Sequence, residues 1–526
     1  MESILHIPTY FHYSPFDLNS YHERLNEISS YDFPREALHK HLLAYNEAYE
    51  AGHKTIHNIE RLLDPSSTVV IGGQQAGILT GPIYTINKII TIIQQAREME
   101  ERLSRPVLPV FWIAGEDHDF DEVNHIYVEA KGQVKKVSLS QKWPKKQSVS
   151  DGFLDKKACN DWVEEVFFHF GETSFTNGVM EKVKSCLEQS KTYVDFFARL
   201  VLLLFKDTGL VLIDSGSKEL REIETSFFEK IITRNTELDL ALKQQQRIKK
   251  NEGYTNLIET ESNAAHLFYH DNGERILLER MIKEGSLFFE GKGKECFFSE
   301  RELLRLVRES PGCFSNNVVT RPLMQEFLFP TLSFVAGPGE ISYWAELKEV
   351  FEVFQRKMPP VYPRLMSTII SRSIEREIQE LGLRTSEVLQ FGVSKNMTSF
   401  LEGLKDCFIE DEIQKMKAEL RVHYELLEDS ALKIHDSLVQ IVKKNESIIH
   451  GQLEYLEKEF YKQNERNNEI VIRKYIQIQN LVKPNDHPQE RMLNVFYFIN
   501  QHGFDIVNKM LEQTSSSEFT HKVIYI

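Results

Sequence analysis

The apolar positions of this chain fall into two rhythms, and the change between them divides it. Up to about residue 372, short apolar runs without alternation are followed by loops and then by apolar residues three and four apart. An unbroken apolar run suits a strand covered on both faces, and the three-four spacing marks one face of a helix. Thr68 to Gly72, Val107 to Ala114, Leu210 to Asp214, Leu332 to Ala336 and Val361 to Ile370 read as such strands. Ile83, Ile86, Ile90 and Ile93 form a helical stripe, with Thr80 placed to cap it and Pro82 in its first turn. Residues 1–66 and 155–206 read as mostly helical, Ser217 to about Lys250 as one long charged helix, and Glu340 to Phe354 as another. Val123 to Val128 and Val134 to Leu139 read as strands outside the main sheet. His266 to Arg280 reads as a hairpin about Asp271-Asn272-Gly273, a strong turn signal. Strands alternating with helices predict an α/β fold with a parallel, doubly wound sheet and inserted segments.

The second rhythm begins near residue 373, where Gly and Pro become rare and charge rises. Leu420, Leu427, Ile434, Ile441 and Ile448 are seven apart, and Tyr424, Ala431, Leu438 and Asn445 fill the second seam position. This predicts four heptads of coiled coil, with a phase shift to Ile449, Leu453, Leu456 and Phe460. The alternative is a single amphipathic helix packed on its own domain. The seam needs a partner surface, which a return helix of the same chain, a second subunit or both could supply, and a symmetric homodimer is the first expectation. The predicted division is a core domain over 1–372, with insertions at about 130–206 and 250–316. A coiled-coil dimerisation domain follows over 373–489, and a segment over 490–526 returns to the core through the strand-like Lys522 to Ile526.

Composition narrows the function. The chain has 526 residues, 41% hydrophobic and 11% aromatic, enough for a sizeable core and for three or four domains at roughly 150 residues each. With 63 basic and 78 acidic residues the net charge is -15, which disfavours non-specific nucleic-acid binding. Cys159, Cys186, Cys296, Cys313 and Cys407 are scattered and form no CxxC pair, so neither a disulfide framework nor a zinc knuckle is expected. The start, with Glu2 and His6, lacks a basic-then-apolar signal, and the apolar runs are too short to span a bilayer. A cytoplasmic protein with no membrane and no nucleic-acid partner is the expectation.

Three strand ends carry chemistry. Gly73, Gln74, Gln75, Gly77, Thr80 and Gly81 follow the first strand. Their spacing is neither a dinucleotide fingerprint nor a P-loop, but small residues ahead of a helix, with two amides, suit a carboxylate or phosphate. A tight structural turn is the plainer reading. Glu116-Asp117-His118-Asp119 follows the second strand, with Asn124 and His125 close behind. The cluster suits a divalent cation, or a carboxylate-oriented His118 acting as general base, or a solvated loop. Gly337-Pro338-Gly339-Glu340 follows the third, with Tyr343 on the next helix and Arg364 after a further strand, where it could clamp an anion. In parallel sheets ligands collect at the carboxyl edge, so Gln74, His118 and Gly339 are expected to line one cleft. His118, rather than any cysteine, is expected to matter for chemistry.

These blocks resemble one family. Gly73-Gln74-Gln75-Ala76-Gly77, Thr80 to Thr85, Trp112 to Phe120 and Gly337 to Trp344 are similar to the signatures of the cysteine-adding ligases of bacillithiol biosynthesis, and the likeness extends to Gln489-Glu490-Arg491. Gly72 departs from the family's usual Thr, which removes a hydroxyl. The resemblance implies a Rossmann-like parallel sheet core with connecting insertions, plus an α-helical coiled-coil domain used for homodimerisation. It implies amide formation between L-cysteine and glucosaminyl-malate, with ATP or ADP as nucleotide and Mg as a possible companion. The residues' own chemistry fits that reaction, since the cluster of Glu116, Asp117, His118 and Asp119 could deprotonate the attacking amine or position a cation, and the catalytic roles are expected there. Binding roles fall to Gly73, Gln74, Gln75, Gly77, Thr80, Gly81, Asn124, His125, Gly337, Gly339, Glu340, Tyr343 and Arg364, with no metal ligand assigned. His-x-Gly-His and Lys-Met-Ser-Lys-Ser, found in the wider ligase class, do not occur. A non-catalytic dimeric protein that binds a nucleotide or sugar acid is the alternative.

Overall fold

The computed structural model describes residues 5, 7–141, 143, 146–259, 263–405, 407–514 and 520–526, with the Cys407 side chain left aside. Glu2 and His6 lie outside the described residues. The chain divides into two units: 1–128, 135–369 and 489–526 form the first, and 129–134 with 370–488 form the second.

The first unit is built on five parallel strands. They are β1 (Thr68–Gln74), β2 (Val107–Ile113), β5 (Val211–Asp214), β11 (Thr331–Ala336) and β12 (Val361–Pro363), ordered β12-β11-β1-β2-β5. Every residue of β2, β5 and β11 is buried, as the unalternating apolar runs predict. The helix Ile83–Leu103 has no glycine or proline, and it buries Ile83, Ile86, Ile89, Ile90, Ile92 and Ile93, a wider face than a single stripe. The free edge at β5 is closed by a side chain. Asn46 donates to Leu212 O at 2.8 Å and accepts from Leu212 N–H at 3.0 Å, filling the place of a missing strand.

The insertions keep their own structure. The short pair β3 (His125–Ala130) and β4 (Gln133–Ser138) stands apart from the main sheet, and helices Lys156–Phe170, Thr176–Glu188 and Tyr193–Phe205 follow. β6 (Ala264–Asp271) and β7 (Glu274–Lys283) form the expected hairpin, with Asn272 and Gly273 at positive φ. They sit within a five-stranded sheet that includes β8 (Ser286–Gly291), β9 (Phe297–Ser299) and β10 (Phe314–Asn316), ordered β10-β6-β7-β8-β9.

Several expected elements are divided. The helix after Ser217 breaks at Arg234 into Lys218–Thr233 and Asn235–Asn251. The helix expected over Glu340 to Phe354 is Pro338–Trp344 and Lys348–Val353. The break turns Glu346 inward, where it accepts from Lys249 Nζ and Leu257 N–H, both at 2.7 Å. A buried carboxylate needs such partners, and a continuous helix would not have brought it to them. Val361 to Ile370 is also two strands. β12 ends at Pro363, and β13 (Ser367–Ile370) pairs with β14 (Lys522–Tyr525) in a separate ribbon.

In the second unit, Cys407–Ile434 and Ser437–Asn467 form an antiparallel helical hairpin, with Tyr424 against Asn445 and Lys443 near Glu428. The seven-residue series from Leu420 to Ile448 therefore does not run along one helix. The chain reverses at His435 and Asp436, in the middle of it. Ala431 and Leu453 are buried between the helices, whereas Leu427, Ile434, Ile441 and Ile448 are each more than half exposed. Among the described residues no helix is long and apolar enough to cross a membrane.

One buried ion pair ties the amino-terminal helices to the sheet. Arg24, on helix Leu18–Ile28, donates to both oxygens of Glu326 at 2.6 Å and to Thr331 O at 3.0 Å, where β11 begins. Arg24→Ala strands a buried carboxylate, so chemical denaturation is expected to show a loss of about 3–5 kcal/mol. A loss below about 1 kcal/mol, the range of exposed pairs, would contradict this account.

Candidate active site

At the carboxyl edge of the sheet the ends of β1, β2, β11 and β12 surround a cavity of about 360 Å³. Its walls include Gly73, Gln74 and Gln75 from the first loop, Asp117 from the second, and Gly337, Gly339, Glu340 and Tyr343 from the third. Lys88, Arg321, Arg364 and Arg491 line it as well. Two of the three residues expected to meet, Gln74 and Gly339, do so. His118 follows the same strand edge but does not line the cavity.

Arg275 on β7 draws His118 away. Its guanidinium lies over the Phe268 ring and donates to His118 Nδ1 at 3.0 Å. A guanidinium can only donate, so Nδ1 is the acceptor and the proton sits on Nε2. Burial, then the nearby Arg275 charge, lowers the imidazole pKa below its ordinary value. The ring is neutral, with its basic nitrogen already engaged.

The acids beside it are spent on arginines. Glu116 is fully buried and accepts from Arg321 Nε at 2.6 Å, with Arg221 3.7 Å away on its other side. Asp117 Oδ1 accepts from Arg321 Nη2 at 2.7 Å, with Arg275 3.5 Å away. Burial works against the Asp117 carboxylate, but Arg321 and Arg275 outweigh it and hold its pKa low. The cluster is therefore neither a bare cation cage nor a solvated loop at these two residues. Asp119 is exposed at the start of the short helix Phe120–Val123 and caps nothing with its side chain. Asn124 and His125 sit beyond that helix and outside the cavity lining, with His125 Nδ1 3.0 Å from Asp121 O.

The first loop splits between lining and scaffold. Gln75 donates to Glu122 at 2.6 Å. Gly77 and Gly81 face each other, and a Cβ on Gly77 would fall 2.8 Å from Gly81 Cα. Thr80 does not cap the next helix. It has φ +70, its buried hydroxyl has no hydrogen-bond partner among the described residues, and Pro82 holds the N-cap position. Gly72 also has a packing reason, since a Cβ there would lie 2.9 Å from Val335 O on the neighbouring strand.

Two expected ligand groups are turned onto the protein itself. Glu340 accepts from Gly337 N–H at 2.7 Å and pairs with Lys88. Arg364 makes the planar two-point clamp expected of it, but onto Glu490, with both contacts at 2.8 Å. Three cations of the cavity were absent from the expected set. Lys88 donates to Gly73 O at 2.6 Å and contacts Gln74 Oε1 at 3.3 Å. Burial, partly offset by Glu340, lowers its pKa. Its signal was a lone cation inside an isoleucine run. Arg321 stands at the start of helix Thr320–Leu328 with no sequence signal of its own. Arg491 is exposed and, among the described residues, engages no carboxylate.

Comparison with known proteins adds an independent line. The family model for "Bacillithiol biosynthesis BshC, N-terminal Rossmann-like domain" matches residues 2–365, and that for its "C-terminal coiled-coil domain" matches 367–526. A Geobacillus thermodenitrificans protein named "Putative cysteine ligase BshC" is 42% identical over 516 residues, 98% of this chain and 95% of that protein. A Bacillus cytotoxicus protein of the same name is 43% identical over 502 residues, 95% of this chain and 93% of that protein.

The His118 geometry sets a titration. NMR is expected to show the Nε2–H tautomer and a pKa below the ordinary 6.5 or so, rising in Arg275→Gln. The folded pKa is depressed, so the unfolded chain binds more protons on acidification. Stability from this group is lost as pH falls below about 6.5. An Nδ1–H tautomer, or an unshifted pKa, would refute the Arg275 contact.

Proposed function

The chain belongs to the bacillithiol biosynthesis BshC family, and on that basis we propose that it is a ligase joining the carboxyl of L-cysteine to the amine of glucosaminyl-malate. The supporting observation is the charge balance of the cleft, with Lys88, Arg321, Arg364 and Arg491 set against Asp117 and Glu340. Of these cations Arg364 is held by Glu490 and Lys88 by Glu340, whereas Arg491 has no carboxylate among the described residues. The malate half of the acceptor carries two carboxylates, and Arg491 takes one of them in a two-point contact. Asp117 is the member of the acid/His cluster that lines the cleft. Arg321 occupies its Oδ1, while among the described residues Oδ2 has only a 3.5 Å contact from Gln75. Oδ2 therefore orients the attacking amine and relays its proton to the departing phosphate group as the carbon–nitrogen bond forms and the bond from the activated carboxyl to that group breaks.

A carboxylate is a poor acyl donor at neutral pH, and bound ATP would supply the activation of the cysteine carboxyl. The cationic lining would suit its phosphates, and magnesium would accompany them. The substrates place the reaction in the cytoplasm. The exposed Leu427, Ile434, Ile441 and Ile448 of the helical hairpin form the dimer face, covered by a second copy of the chain.

Purified protein incubated with cysteine, glucosaminyl-malate, ATP and magnesium is expected to yield the thiol amide, read by mass spectrometry. Arg491→Ala should raise KM for glucosaminyl-malate roughly tenfold to a hundredfold with kcat little changed. Asp117→Asn should lower kcat by about 10²–10⁴-fold, while His118→Ala stays within a few-fold of wild type. Absence of product under all these conditions, or the reverse ranking of Asp117 and His118, would refute the assignment.

Leu427→Asp with Ile434→Asp places charges on the exposed apolar face and should convert a dimer to a monomer in light scattering without unfolding the α/β unit. Wild-type protein that is monomeric at micromolar concentration would leave that face without the proposed role.

A further inference from the structure

A second cavity, of about 480 Å³, lies away from the cleft. Met324 and Phe327, from the end of the helix that leads into β11, line it, and so do Phe354 and Arg356, ahead of β12. These are the amino ends of the parallel strands, so the cavity opens at the opposite edge of the same sheet. It runs beside helix Lys218–Thr233, from the buried Glu224 to the exposed Lys230. Its volume falls within the range of small-molecule pockets.

Two cations converge there. The Arg356 guanidinium lies 3.5 Å from the Tyr31 ring centre and 4.7 Å from that of Phe327, held between aromatic faces. Lys230 Nζ is 4.5 Å from the same Phe327 ring. Among the described residues neither has a carboxylate at ion-pair distance. Arg356 is nine-tenths buried, and among the described residues its Nη1 has no hydrogen-bond partner. The αL turn at Gln355, with φ +56, ends the preceding helix and points the chain back so that Arg356 reaches the cavity. Glu326 is near enough to act on the Arg356 charge, but both its oxygens are clamped by Arg24. Buried donors without partners are rare and costly, and two cations on one ring favour an anion between them.

The other end is polar without being anionic. Both Glu224 oxygens are buried and, among the described residues, lack hydrogen-bond partners, with Arg221 3.5 Å away. Burial pushes the Glu224 pKa up to about 8, so at neutral pH its carboxyl is mainly a neutral donor and acceptor. Asp32 at the rim is exposed. Between the two ends the wall is Phe227, Met324, Phe327 and Phe354.

The geometry points to a binding site for a small organic anion, with a carboxylate or phosphate head on Arg356 and Lys230 and a flat, apolar body along the aromatic wall. Nothing at this site depends on the ligase reaction, and none of its lining residues belongs to the cleft.

Isothermal titration calorimetry on the full chain tests it with phenyl phosphate, phenylacetate and inorganic phosphate. At least one aromatic anion is expected to bind at millimolar concentration or below, and the tighter of the two names the head group. Lys230→Gln and Arg356→Gln should each weaken it by about tenfold or more, and Arg491→Gln in the cleft should leave it unchanged. Arg356 is packed between rings, so its variant needs a melting curve. Lys230 is exposed, and its variant carries the test if Arg356→Gln fails to fold. No heat from either aromatic anion overturns the proposal. So does affinity lost only with Arg491→Gln, or inorganic phosphate binding as tightly as phenyl phosphate.

Discussion

Lys88 brings a charge into a helix that is otherwise buried among isoleucines, and the carboxyl edge of the sheet is arranged to satisfy it. One ammonium reaches Gly73 O on β1, Gln74 Oε1 beside it and Glu340 after β11. An ammonium left unpaired in that position would cost several kcal/mol. The two loops therefore close around it, and Glu340 caps its own helix by the same carboxylate. The cleft exists because this helix and these two strand ends share one polar contact within an apolar layer.

The second strand end is fixed by the same rule with opposite sign. Glu116 and Asp117 leave a fully buried strand, and Arg321, Arg221 and Arg275 converge on them from three other segments. Charge is nearly balanced behind the cavity wall and positive on its surface, where Arg491 has no carboxylate among the described residues. A site of this kind discriminates by charge before it discriminates by shape.

The fold was legible wherever a single stretch of chain carried its own pattern. β1, β2, β5 and β11 are buried on both faces, and their unalternating runs say so; Asn272-Gly273 declares its turn without help from elsewhere. What was hidden depends on residues distant in sequence. Glu346 breaks its helix because Lys249 is nearby in space. The heptads from Leu420 to Ile448 read as one seam because periodicity carries no mark of direction, and the chain reverses within it. The site followed the same division: strand-end loops could be located, but their occupancy could not. Arg364 meets Glu490, and His118 meets Arg275, through contacts that no local motif announces. Lys88 carried a signal that went unused, whereas Arg321 carried none.

Ile369 and Gln489 bracket residues 370–488, the larger part of the second unit, and they already touch. Ile369 N–H donates to Gln489 Oε1 at 2.8 Å, and Gln489 Nε2 donates to Ile369 O at 2.9 Å. An insertion whose two ends are held together by the host adds almost no loop-closure penalty to the host's folding. The long arm is thus modular. It can lengthen, shorten or be exchanged during evolution without the sheet having to re-register, because the two points where it leaves and rejoins the host are already paired.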